Sequence, residues 1–134
     1  VRQVLWAEDN PDDRLLIRTA VAELPSPPDV KLVNDGVFLL QELGQALPGL
    51  VVLDLRMPRL GGLEALAAMR ANPAWRGLPV AIFSAGNQPE ETARCRALGA
   101  LLVVQKPVNY LQFTAAVHSI VQLESEASCT TQGF

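Results

Sequence analysis

Five short apolar runs recur along the chain, and each gives way to polar residues at its C-terminal end. Residues 4–7 are followed by Glu8 and Asp9, and residues 50–53 by Asp54. Residues 78–83 are followed by Ser84, and residues 100–104 by Gln105 and Lys106. The fifth run, 30–34, alternates, ends in Asn34 and leads into Asp35. Each run is too short for a helix and long enough for a strand. Between them lie stretches of helical period. Asn10-Pro11-Asp12-Asp13 opens the first, with a cap, a proline suited to the first helical position and acids at the positive end of the dipole. Pro25-Ser26-Pro27-Pro28 closes it. The second spans 36–47, with Val37, Leu40, Leu43 and Leu47 spaced for one face, and the third spans 61–71. The fourth spans 89–98 and meets Gly99, a natural C-terminal cap. The fifth spans 109–123, with Asn109 placed to cap it.

Strands alternating with helices predict an α/β fold with a parallel sheet, and apolar runs of this kind suit a sheet covered on both faces. Right-handed crossovers leave the flavodoxin-like order as the leading choice: a doubly wound (βα)5 fold with its parallel five-stranded sheet ordered 2-1-3-4-5. A chain of 134 residues is one domain by size. We expect that domain over 1–123 and a polar, frayed tail over 124–134, with no output domain following. A formal net charge of −3 gives no footprint for nucleic acid. No apolar run approaches the ~20 residues of a membrane span, and no signal peptide shows. The expected location is therefore cytoplasmic. Cys95 and Cys129 lack metal-ligand spacing and read as free thiols.

In such sheets ligands bind beyond the C-terminal strand ends, near the switch between strands 1 and 3. The residues closing the strands gather there: Glu8, Asp9, Asp54, Ser84 and Lys106. Taken singly, each is more often a turn, cap or solvated residue; their joint placement on one rim carries the functional reading. Three carboxylates repel one another unless a hard cation such as Mg²⁺ joins them. A phosphoryl group would then fit the free coordination positions, with Lys106 and Ser84 as donors. A carboxylate can act as nucleophile, which makes Asp54 the candidate phosphate acceptor.

Glu8-Asp9-Asn10, Asp54 with Met57-Pro58 and Gly62, Ser84-Ala85, Gly99-Ala100 and Lys106-Pro107 together resemble the receiver domain of two-component response regulators. The likeness covers about residues 2–123. It implies that Asp54 accepts a phosphoryl group from a phosphohistidine of a sensor histidine kinase. It further implies that Asp9, Asp54 and the backbone carbonyl of Arg56 ligate Mg²⁺, with Glu8 acting through water. Ser84 would turn inward to the phosphoryl oxygen. Lys106 would pair with the phosphoryl group, or with Asp54 before transfer. Ala85 leaves room for the donor, and a cis Lys106–Pro107 bond would aim the lysine. The stretches EDNPDDRLLIRTA, MPRLGG, NPAWRGLPV and KPVNYLQF are similar to stand-alone receivers that partner bacterial phytochromes, which implies a red-light-sensing kinase as input.

Three positions depart from the family pattern. Val103 stands where an aromatic residue is common, Gln105 stands where Thr is frequent, and Arg56 brings a charge close to the acceptor. The expected function is a single-domain response regulator that catalyses only its own phosphorylation and dephosphorylation. It would signal through its surface as a homodimer formed across the fourth helix to fifth helix face, where residues 101–104 form an apolar edge. The alternative is a receiver-like interaction module acting without phosphorylation, which would be expected to lack part of this residue set. A phosphohydrolase would need an acid where Arg56 stands. A flavin carrier would meet repulsion from Glu8 and Asp9.

Overall fold

The structure, a computed structural model, describes residues 3–132, with side chains described over 3–124. Five strands alternate with five helices: β1 (Gln3–Ala7), α1 (Pro11–Ala22), β2 (Asp29–Val33), α2 (Gly36–Leu43), β3 (Leu50–Leu53), α3 (Gly62–Ala71), β4 (Val80–Ser84), α4 (Pro89–Ala97), β5 (Leu102–Gln105) and α5 (Tyr110–Gln132). The strands pair in parallel in the order β2-β1-β3-β4-β5, the flavodoxin-like arrangement expected from the sequence.

Strand periodicity divides the core into two layers. Val4, Trp6, Leu50, Val52, Ala81 and Phe83 face one side, where Ile17 of α1 and Phe113, Val117 and Ile120 of α5 cover them. Leu5, Ala7, Val51, Leu53, Val80 and Ile82 face the other, beneath Leu39 of α2, Leu66 and Met69 of α3 and Cys95 of α4. Phe83 meets Trp6 and Phe113 edge-on, with ring centroids 5.9 and 5.1 Å apart. Replacing it with Ala would cost about 3–5 kcal/mol. Buried Cys95 is a free thiol, whereas the side chain of Cys129 lies outside the described residues.

The local signals at α1 hold. Asn10 Oδ1 accepts from the N–H of Asp13 at 3.0 Å, and Pro11 opens the helix. Asn109 accepts from Gln112 N–H at 3.1 Å as a cap for α5. Gly99 lies past the end of α4 with φ 84°, the left-handed conformation that glycine adopts without strain.

Other expectations need correction. The second helix ends at Leu43, not 47: Gly44 closes it by donating to the carbonyls of Leu40 and Gln41. Its buried face is Gly36, Leu39 and Leu43, while Leu47 is exposed. Where a frayed tail is expected from residue 124, α5 continues to Gln132. No Gly or Pro interrupts that stretch. There are no cis peptide bonds among the described residues, so the Lys106–Pro107 bond is trans. The trans form is the ordinary preference of an X–Pro bond. The lysine reaches the rim without it, because Lys106 N–H donates to Ser84 O at 3.0 Å and extends the β4–β5 ladder.

Candidate functional site

β1 and β3 end in register at Ala7 and Leu53, β4 runs on to Ser84, and the residues at and just beyond these ends meet on one rim. Asp54 N–H donates to Ala7 O at 3.2 Å, holding the start of the β3–α3 loop against the end of β1. Glu8 is fully buried, Asp54 nearly so, and Asp9 is exposed. One carboxylate oxygen from each lies within 4.8 Å of the others. Ser84, also fully buried, donates to Asp54 Oδ1 at 2.7 Å and accepts from Leu55 N–H at 3.2 Å. Arg56 N–H donates to the same Asp54 oxygen at 3.0 Å.

Lys106 enters from the end of β5 with its side chain only 10% exposed. Its Nζ lies 2.7 Å from Asp54 Oδ2, 2.8 Å from Asp13 Oδ2 and 2.7 Å from Glu8 Oε1. That Glu8 oxygen is buried and has no other partner among the described residues. The structure therefore brings together every strand-end residue singled out in the sequence and adds Asp13. Asp13 reads in sequence as a helix-dipole acid. Its distance from Lys106 along the chain conceals the contact, although it stands only four residues beyond Asp9.

Three carboxylates thus face one ammonium, and a fourth, Asp9, stands beside two of them. Burial pushes the Glu8 carboxyl up to about 7; the Asp54 charge adds to that, and Lys106 opposes it. Burial also works against the Asp54 charge, but Lys106, the Arg56 N–H and Ser84 outweigh it and hold this carboxyl below its usual range. For Lys106 burial is outweighed by Asp13, Asp54 and Glu8, so its proton is held more tightly than usual. Clustered oxygen donors with surplus negative charge and one exposed member fit a divalent cation. The lysine is a point charge able to follow an anion arriving at Asp54.

Arg56 is tied down rather than free over the site. Its guanidinium pairs with Glu91 of α4 at 2.7 and 2.8 Å and donates to Gly86 O at 3.1 Å. Glu91 also accepts from Gln88 N–H at 3.1 Å as part of the α4 capping box. One side chain thus joins the loop after β3 to the loop after β4. Ala85 lines a hollow with Asp13, Lys106 and Pro107. Val103 and Gln105 line a groove of about 550 Å³ against α4.

Residues 4–118 match the model of the response regulator receiver domain. The crystal structure of the phosphorylated cyanobacterial phytochrome response regulator RcpA superposes with a TM-score of 0.83 at 28% identity, covering 89% of this chain and 90% of that one. The response regulator RPA3017, in red light signalling of R. palustris, gives 0.79 at 26% identity over 89% and 90%. A protein-glutamate methylesterase/protein-glutamine glutaminase of Nocardioides sp. is 36% identical over 73% of this chain. The chain spans 28% of the length of that relative and 26% of a probable cyclic di-GMP phosphodiesterase of Vibrio cholerae.

Proposed function

The chain belongs to the response regulator receiver domains of two-component signalling, and from that premise we propose that it is a phosphorylation switch with Asp54 as its acceptor. The observation that carries this reading is the Asp54 carboxylate held between the Ser84 hydroxyl and the Lys106 ammonium, beside Glu8 and Asp9. An Asp54 oxygen forms a bond to the phosphorus of a phosphohistidine on a sensor histidine kinase. The P–N bond breaks, and its electron pair stays on the imidazole. Lys106 then pairs with the transferred oxygens, and Ser84 donates to one of them. Water reverses the modification by releasing phosphate and restoring the carboxylate.

Asp9, Asp54 and the backbone carbonyl of Arg56 would hold Mg²⁺, with Glu8 acting through water. Bound there, the ion would neutralise charge on the phosphoryl oxygens. Asp54 carries the chemistry, and no acid stands at position 56 to turn over external substrates. The domain accordingly acts by changing what it binds. No described helix is long and apolar enough to cross a membrane, and the net charge of −3 gives no support to a nucleic-acid partner.

The likeness to RcpA and RPA3017 supports a red-light-sensing phytochrome kinase as donor. Faster transfer from such a kinase than from one of another class supports the pairing, and equal rates contradict it. β5 is an edge strand, and exposed Leu101 precedes it, which supports a homodimer across the α4–β5–α5 face. The groove beside Val103, where the family commonly has an aromatic residue, lies against α4 and supports an output surface on the same side. A receiver-like module that acts unphosphorylated is the competing reading. Incubation with a small phosphodonor and Mg²⁺, read by intact mass, separates the two.

A further inference from the structure

Among the described residues, Arg59 is the one non-glycine with positive φ, at 65°. This is a conformation that L side chains rarely adopt. Its side chain is held firmly in compensation. Nε lies 2.8 Å from Asp35 Oδ2, Nη2 lies 3.2 Å from Asp35 Oδ1, and the guanidinium stacks 4.7 Å over the Phe38 ring. Asp35 is buried and also caps α2, accepting from Phe38 N–H at 3.0 Å. Next to it, Gly36 N–H donates to Leu60 O at 3.0 Å, and a Cβ on Gly36 would stand 2.6 Å from that oxygen. The N-terminus of α2 therefore grips the far end of the β3–α3 loop.

The near end of the same loop belongs to the site. Arg56 N–H bonds the Asp54 carboxylate. Gly62 N–H donates to Leu55 O at 3.3 Å, and a Cβ on Gly62 would fall 2.3 Å from Asp54 O. The loop has no slack at either end. A cap for α2 alone requires neither a buried charge nor a strained partner, since asparagine caps as well as aspartate. Strain persists where surrounding structure over-determines it, and here it lies in the same loop as Arg56, whose backbone carbonyl the proposed Mg²⁺ site would use.

We propose that the Arg59–Asp35 clasp is a positioning device for the cation site. It fixes where the Arg56 carbonyl and the Asp54 carboxylate stand, so that α2, which supplies no ligand, sets the affinity for Mg²⁺. The inference rests on the reading of Glu8, Asp9 and Asp54 as a Mg²⁺ site. Arg59 and Asp35 are positioning residues and touch neither ion nor phosphoryl group.

The test is calorimetric titration with Mg²⁺ in the absence of phosphodonor, paired with phosphorylation rates measured across a Mg²⁺ series. Wild type is compared with Asp35→Asn, which keeps a cap and removes the charge, and with Arg59→Ala and Arg59→Gly. Variants that retain wild-type circular dichroism should bind Mg²⁺ about tenfold more weakly, as expected for loss of a group supporting metal ligands. At saturating Mg²⁺ they should reach the wild-type phosphorylation rate. Arg59→Gly relieves the strain but removes the clasp, so it too should bind weakly. Wild-type affinity in Arg59→Gly, or in folded Asp35→Asn, overturns the clasp while leaving the site reading intact. Wild-type protein that binds no Mg²⁺ overturns both.

Discussion

Lys106 balances the electrostatics of the rim, and its removal should show this directly. Lys106→Met leaves Glu8, Asp13 and Asp54 without their shared cation. The metal-free protein should lose about 1–3 kcal/mol in urea unfolding, the range for buried polar groups left unpaired. Mg²⁺ should restore more stability to the variant than it adds to wild type; equal gains would contradict this. Asp35 supplies a second test. The Arg59 guanidinium, working against burial and helped by the Phe38 N–H, holds its carboxyl below the usual range. The folded state therefore takes up this proton less readily than the unfolded chain. The stabilisation is whole above the unfolded value near pH 4 and is lost as pH falls through the lower folded value. Asp35→Asn should be less stable than wild type at neutral pH, with the gap closing in acid. A gap independent of pH would contradict that assignment. Asp54, Ser84 and Lys106 are legible in sequence because each closes a strand of a parallel sheet, where topology alone brings them together. Asp13 and Arg59 are not. The first is recruited by packing between α1 and the end of β5, and the second by a backbone angle that no side-chain pattern announces.

At the scale of elements, the tie from Arg56 to Glu91 joins the acceptor loop to the capped start of α4. The pair is partly exposed, with side chains 50% and 29% accessible, so Arg56→Ala should change stability by less than about 1 kcal/mol. It should nevertheless shorten the life of the phosphoryl group, because the mouth of the site is no longer bridged. Loss of radiolabelled phosphate from purified phosphoprotein measures this, and an unchanged lifetime would contradict it. The same elements show where sequence patterning runs out. The apolar run of β3 and the Asn10-Pro11 start of α1 are where the residues place them. The end of α2 is not: helical spacing continues to Leu47, but Gly44 and a tightened turn stop the helix first. Nor is the end of α5, where polar composition suggests fraying but nothing breaks the helix before Gln132. Helix ends are settled by the competition between local caps and tertiary contacts, which periodicity does not register.

For the whole molecule, two apolar layers cover the two faces of the sheet, so that the proposed chemistry falls to its C-terminal rim and the proposed interface to its β5 edge. A homodimer across α4, β5 and α5 should appear in sedimentation velocity as a mass that rises with concentration and with phosphorylation. A monomer mass unchanged by either would contradict that assembly without touching the site. The central claim is that Asp54 accepts a phosphoryl group with help from a divalent cation, and intact mass after incubation with acetyl phosphate and Mg²⁺ tests it most directly. The predicted result is gain of a single phosphoryl group, abolished by Asp54→Asn and by chelation of the metal. Folded wild-type protein that gains none, or an Asp54→Asn variant that is still modified, would contradict it.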